Sequence, residues 1–226
     1  MANGGNQVKE APIWLAHGAD IYDLIAPISK RKTVSAEQIL IEQGKTVPYI
    51  YFVLQGRAQA FIYTRSGQQF WVADFEPGDL FGHPEILSGA PIAFEVKADT
   101  DMQLAVLPAK AFSDMMLEAP ALGKNVYTEL SSSLGRAQTR LFELAILTAK
   151  ARICAELLRM GKPIGRSPDT LIIRPHPIYT NFALRVHSTR ETVSRTINSL
   201  KKKGIVTRET GALEILKPEH LERELG

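Results

Sequence analysis

Residues 188–204 read STRETVSRTINSLKKKG, and their spacing predicts one amphipathic helix. Val193, Ile197 and Leu200 recur at intervals of four and three, so they share one side of a 3.6-residue period and face a core. Ser188 or Thr189 can cap the helix start, with Glu191 completing a capping box. The side opposite the apolar stripe is left to Arg190, Glu191, Ser194, Arg195 and Asn198. Those residue types suit the edges of base pairs: arginine donates a bidentate pair to guanine, and a carboxylate accepts from the cytosine amino group. Arg190, Glu191 and Arg195 are the candidate base readers, because residues near the helix N-terminus enter a major groove first. The hydroxyls of Thr189 and Thr192 and the ammonium groups of Lys201, Lys202 and Lys203 suit phosphate oxygens, which position a protein on a duplex without reading its sequence.

Outward from this helix, YTNFALRV at 179–186 gives a second, shorter helical pattern just upstream. His187 then occupies the turn, a left-handed position that histidine tolerates at more cost than glycine. Downstream of Gly204, Ile205–Arg208 and Leu213–Leu216 flank the turn Glu209-Thr210-Gly211-Ala212, which predicts a small β-hairpin, or wing. Charge is concentrated on the same segment. From Arg174 to Arg208 there are eight Lys/Arg against one acid, Glu191, a local +7 in a chain whose formal net charge is +3. A charge run is often only a solvated face. Combined with the polar helix face, it is the electrostatic footprint of a surface that meets phosphate.

Further upstream, Thr148 and Gly161 bracket a helix at about 149–160, with Gly161 placed as a left-handed cap. Residues 161–177 read as a loop around a short strand, Leu171–Arg174. Cys154 sits among Ile153, Leu157 and Leu158, which points to ordinary packing. Leu122, Val126, Leu130, Leu134, Ala137, Leu141, Leu144 and Thr148 are spaced by threes and fours along a helix of roughly 28 residues after Pro120, about 42 Å long. That spacing is a coiled-coil seam and predicts a homodimer through this helix. The alternative is packing of the helix along its own β domain. A short helix is expected at about Ala109–Glu118. Residues 34–108 read as short strands: period-two alternation at 49–54, 58–62 and 70–72, with Gly44, Gly56, Gly67, Gly78 and Gly89 at eleven- or twelve-residue intervals, favours an antiparallel sandwich or barrel.

The class is therefore α+β: an N-terminal antiparallel β-barrel, a long dimerisation helix and a C-terminal winged helix-turn-helix. The expected partition is 1–118, 119–147 and 148–226. Composition excludes other classes. Hydrophobic residues at 45% and charged residues at 23% are those of a water-soluble globular chain. Neither a secretory leader nor a membrane span is read, and a reducing cytoplasm fits the single cysteine. One cysteine is also too few for an iron–sulfur cluster. No enzyme is expected: the histidines at 17, 83, 176, 187 and 220 are scattered, with no nucleophile elbow or phosphate-cradling glycine loop.

The order of elements, and above all Thr189-Arg190-Glu191-Thr192-Val193-Ser194-Arg195, resembles the cyclic-AMP receptor protein and fumarate/nitrate regulator (Crp/Fnr) family of bacterial transcription factors. FEPGDLFG at 75–82 and LSGAP at 87–91 resemble the family's effector-domain stretch. The resemblance, over about residues 30–216, implies a jelly-roll, cyclic-nucleotide-binding-like β domain. It also implies a dimer on double-stranded DNA, reading a roughly palindromic site through Arg190, Glu191 and Arg195, with RNA polymerase as a possible partner. In the motif's first helix, Thr180-Asn181-Phe182 replaces the polar, acidic residues common in the family.

The same resemblance places an effector pocket near Gly82, His83, Glu85, Ile92, Ala93 and Gln138. Cyclic-nucleotide binding in the family uses an acid, an Arg-Ser pair and a Thr-Ser pair, whose positions here are His83, Ile92-Ala93 and Ala137-Gln138. None is kept, and Lys97 is the sole nearby basic residue. Burying a phosphate without partners costs several kcal/mol, so cyclic AMP bound in the usual way is not expected. A few gas-sensing relatives use a histidine in this region for haem, but a lone His83 is more often a turn or surface residue. Glu85 follows it at H-x-E spacing without the C-x-x-C of a zinc deaminase. No metal or cofactor is assigned; a different small ligand or a filled apolar cavity remains. The alternative function is a ligand-sensing regulatory module acting through a protein partner.

Overall fold

The structure, a computed structural model, describes residues 22–82, 88–164 and 167–225. Contacts divide the chain into two units, 1–134 and 135–226.

In the first unit, β1 (Lys30–Val34), β8 (Met102–Pro108), β3 (Tyr49–Gln55) and β6 (Leu80–Phe81) form one antiparallel sheet in the order β1-β8-β3-β6. The second sheet has the order β2-β7-β4-β5, with β2 Ile39–Ile41, β7 Glu95–Ala98, β4 Ala58–Tyr63 and β5 Gln69–Phe75. Inward side chains of both sheets share one core, which includes Val34, Tyr51, Val53, Ala58, Ala60, Phe81, Val96 and Leu104. The other face of the first sheet is also covered. Ile50, Phe52, Ala105 and Leu107 pack with Phe112 of α1 (Ala109–Glu118) and with Leu122 and Val126 of α2 (Pro120–Ile146). This explains why β3 is apolar at successive positions: each side chain of Ile50–Val53 enters one core or the other.

One of these strands differs from the sequence reading. β1 starts at Lys30, before the expected strand region, because its Lys-Arg-Lys-Thr run is exposed and only Val34 is buried. Such charge is characteristic of an edge strand and hides the alternation. Gly56 has φ +85°, and a Cβ there would lie 2.2 Å from the Asp101 carbonyl oxygen, so this turn requires glycine.

The seam of α2 is divided. Leu122 and Val126 are fully buried in the core of their own unit, which is the alternative arrangement, while Leu134 and Leu141 are 60% and 68% exposed. Phe142, Leu144 and Ile146 are exposed on the same C-terminal turns.

In the second unit, α3 (Ala149–Met160), α4 (Tyr179–Arg185) and α5 (Arg190–Lys202) pack with a sheet of order β11-β12-β10-β9. Its strands are β11 Val206–Glu209, β12 Ala212–Ile215, β10 Ser167–Ile173 and β9 Lys162–Ile164, followed by α6, Pro218–Glu222. The core joins Ile153, Cys154 and Leu157 to Phe182, Val193, Ile197, Leu200 and Leu213. Burial raises the Cys154 thiol to about 11, consistent with packing and not reactivity. The expected loop at 161–177 contains β9 as well as a longer β10. Gly161 is also not left-handed: its φ is −66°. A Cβ there would lie 2.9 Å from Leu171 Cβ, so glycine permits close approach of the helix end to β10.

Candidate nucleic-acid interface

The start of α5 is set by Thr189, whose hydroxyl accepts from the Thr192 N–H at 3.1 Å. Glu191 is therefore the second helical residue, and the expected capping box, which needs Ser188 as cap, does not form. The Thr192 hydroxyl lies 2.9 Å from that of Thr189. The cap thus already uses part of the bonding capacity expected to serve phosphate. Replacing Thr189 with alanine should cost about 1 kcal/mol, read as a lower unfolding midpoint of the full chain in urea.

Val193, Ile197 and Leu200 are buried, whereas Arg190, Glu191, Arg195 and Asn198 are exposed. Arg195 Nε stands 3.9 Å from Glu191 Oε1, with both side chains more than two-thirds exposed. Such a pair is worth about 0–1 kcal/mol, so little opposes its exchange for other partners. Lys201, Lys202 and Lys203 are exposed at the far end of the helix.

The turn before α5 is held by contacts that spacing did not announce. His187 has φ +48°, as the turn requires, and the Ser188 N–H donates to the Ala183 carbonyl at 3.0 Å. Arg152 of α3 donates to the Val186 carbonyl at 2.9 Å, to that of His187 at 3.3 Å and to that of Leu147 at 2.8 Å. Burial, and then the charges of Arg152 and Arg140, hold the His187 imidazole below its ordinary pKa. That favours the neutral ring beside these guanidinium groups.

Behind the turn lies a charged cluster. Glu156 is 1% exposed and accepts ion pairs from Arg140 at 2.8 Å, from Arg159, and from Arg185 at 3.6 Å. Glu143 joins through Arg159 and, at 3.7 Å, Arg140. Three helices are thereby linked: α2, α3 and α4. The available sequence signal was a carboxylate on the apolar side of α3, next to Ala155 and Leu157. After Arg208, the wing turns through Thr210 and Gly211, with Glu209 paired to Ala212.

Of the six expected effector-pocket residues, Gly82, Ile92, Ala93 and Gln138 are among the described ones. His83 and Glu85 lie outside the described residues. Gly82 has φ +88° and follows β6. Ile92 is 1% exposed within the sheet core, Ala93 is exposed, and Gln138 is exposed on α2. Lys97 donates to Glu37 at 2.7 Å, so the one expected substitute cation already has a carboxylate partner. Among the described residues no group of three or more His, Cys, Asp or Glu could hold a metal ion, and no helix is long and apolar enough to cross a membrane.

Two family models match the chain: a cyclic nucleotide-binding domain over residues 31–119 and a Crp-like helix-turn-helix domain over residues 151–224. The chain is similar to the cyclic AMP receptor protein of Thermus thermophilus, at 25% identity over 92% of this chain and 94% of that protein. It is also similar to the transcriptional regulator SdrP of the same organism, at 28% identity over 82% and 90% of the two chains. Among solved structures, a mutant of CooA from Carboxydothermus hydrogenoformans superposes with a TM-score of 0.81 at 20% identity, covering 96% of this chain and 97% of that one. A β domain of the first kind and a helix-turn-helix of the second, in one chain and in this order, make the protein a DNA-binding transcriptional regulator of the Crp/Fnr family.

Proposed function

We propose that the protein is a cytoplasmic homodimer that binds a roughly palindromic duplex through α5, with Arg190, Glu191 and Arg195 reading bases. Thr189, Thr192 and Lys201–Lys203 contact phosphate. The observation that carries this reading is the two-sidedness of α5: Val193, Ile197 and Leu200 are closed into the core, while the arginines and Glu191 stand in solvent on the other side. A side chain can reach base edges in a groove only from such a face.

Dimerisation is supported by Leu134, Leu141 and Leu144, residues of the predicted seam of α2 that are exposed in the single chain. A copy of the same helix covers them with a two-fold, self-complementary interface. The proposed partition is an effector-sensing domain at 1–118, the dimerisation helix at 119–147 and the DNA-binding domain at 148–226. Operation without cyclic AMP in the usual mode is supported by Ile92, buried in the core where an arginine would be needed, and by the Lys97–Glu37 pair.

The test is selection of bound duplexes from a random pool by the purified protein with no added small molecule. Enrichment of an inverted repeat is the expected result, and a pool that stays random would overturn it. On the selected duplex, Arg190→Ala should relax preference at one base position by about 1–3 kcal/mol. Lys202→Ala should instead weaken all sequences alike and reduce the salt slope by about 1.

A further inference from the structure

The long helix α2 is packed at both ends and bare in between. At its start, Leu122 and Val126 are fully buried with Phe112 and the first sheet, and Leu130 packs against the same core. At its end, Glu143 is buried and shares Arg159 with Glu156, while Arg140 reaches Glu156 at 2.8 Å. Every residue of 133–139, about two turns between these anchors, is exposed. The division of the chain by its contacts falls between Leu134 and Gly135, within those turns.

The same stretch is weak as a helix. Ser131-Ser132-Ser133-Leu134-Gly135 is four-fifths serine and glycine, and glycine is the poorest helix former after proline. Packing supplies no reason for it: a Cβ on Gly135 would meet nothing within 4 Å. A partner helix along the seam supplies none either, because Gly135 is one residue past Leu134 and therefore about 100° round the helix from it. The Thr139 hydroxyl donates to the Gly135 carbonyl at 3.1 Å, a bond that competes with the backbone ladder and favours bending.

The corner between α2 and α3 is closed by comparison. Only Leu147 and Thr148 separate the two helices. The Leu147 N–H donates to the Glu143 carbonyl at 3.0 Å, its own carbonyl accepts from Arg152, and the Thr148 hydroxyl caps α3. With Arg140 and Glu143 held in the Glu156 cluster, this corner is tied from both helices.

We propose that α2 bends within 131–139 and not at its corner with α3, so that residues 140–146 travel with the reading head as one body. Gly135 then sets how far the two heads of a dimer tolerate a change in half-site spacing. This rests on the dimeric DNA-binding reading above and deepens it. A stiffer α2 holds the heads at one separation, and a softer one accepts more duplexes.

The experiment begins with the full-length protein without DNA, followed by hydrogen exchange of individual amides. Within 124–147, exchange should be fastest at 132–139, and Gly135→Ala should slow it there roughly five-fold. Glu156→Gln, a mild change at the corner, should raise exchange at 141–147 and leave 132–139 unchanged. Fastest exchange at 141–147 in the wild type, or a Gly135→Ala effect spread evenly over both stretches, overturns the proposal. The second readout uses the selected duplex with one base pair added or removed between its half-sites. Gly135→Ala should bind the original spacing as well as the wild type does and lose more affinity on the altered ones, by up to roughly five-fold, the most that the change in helix propensity supplies. A spacing preference that Gly135→Ala leaves unchanged overturns the role of Gly135. If no duplex binds at all, the exchange pattern still decides where α2 bends, which separates failure of the DNA-binding reading from failure of this one.

Discussion

Replacing Glu156 with alanine is expected to destabilise the C-terminal unit by about 3 kcal/mol, because a carboxylate removed from a buried ion-pair cluster leaves buried positive charge without its partner. Glu156 is 1% exposed and meets Arg140 of α2, Arg159 of α3 and Arg185 of α4. Glu156→Gln keeps the shape and one acceptor oxygen and should lose less. The two units permit an internal control. Trp71 lies on β5 in the first unit, and a Trp14→Phe background leaves it the sole tryptophan. Urea unfolding followed by circular dichroism should therefore show an earlier helical transition in Glu156→Ala, while tryptophan fluorescence keeps its midpoint. A shift below about 0.5 kcal/mol, the range of an ordinary surface substitution, would show that the cluster does not hold these helices. The same variant should weaken DNA binding, since Arg185 ends the helix that precedes the turn into α5.

The double variant Leu134→Glu with Leu141→Glu is expected to turn a dimer into a monomer and to cut affinity for a two-half-site duplex by about 10²–10⁴-fold. Two half-sites bound by one dimer benefit from a high effective concentration of the second reading head, and separate protomers lose it. Leu134 and Leu141 are one heptad apart and well exposed within a single chain. Acidic side chains at these positions disturb no packing within the protomer, but they place like charges against each other across a two-fold helix pair. Light scattering gives the mass, and the thermal unfolding curve shows whether the protomer is intact. A variant that keeps both the dimer mass and wild-type affinity would place the interface elsewhere. The same changes at Leu122 and Val126 would unfold the protomer, because both are fully buried there.

Much of the fold was legible because its elements carry strong local signals. The bounds of α1, Ala109–Glu118, match the expected helix, and the Thr148 hydroxyl caps α3 by accepting from the Ala151 N–H at 3.2 Å. Of the interface, the stripe of α5 and its polar face could be read from period alone. The errors have a common origin. A capping box with Ser188 and a cap at Thr189 are both allowed by local sequence, and the second is the one that forms. Gly161 has the residue type of a left-handed cap, but its use is steric, against Leu171. β1 was hidden because an edge strand carries charge, and it is defined by its pairing with β8.

What the sequence determined by itself was periodic or local: the amphipathic helices, the alternating strands, the turn before α5 and the cationic segment around it. These follow from side-chain spacing and backbone preference within a few residues, and they sufficed for the architecture. Tertiary structure decided how the apolar seam of α2 is divided between its own core and an uncovered face. It also brought Glu156 to three arginines of different helices, and it left residues 133–139 of α2 exposed between two packed ends. Each of those depends on distances between residues far apart in the chain. Only packing of the buried stripes sets such distances, so no pattern along the sequence encodes them.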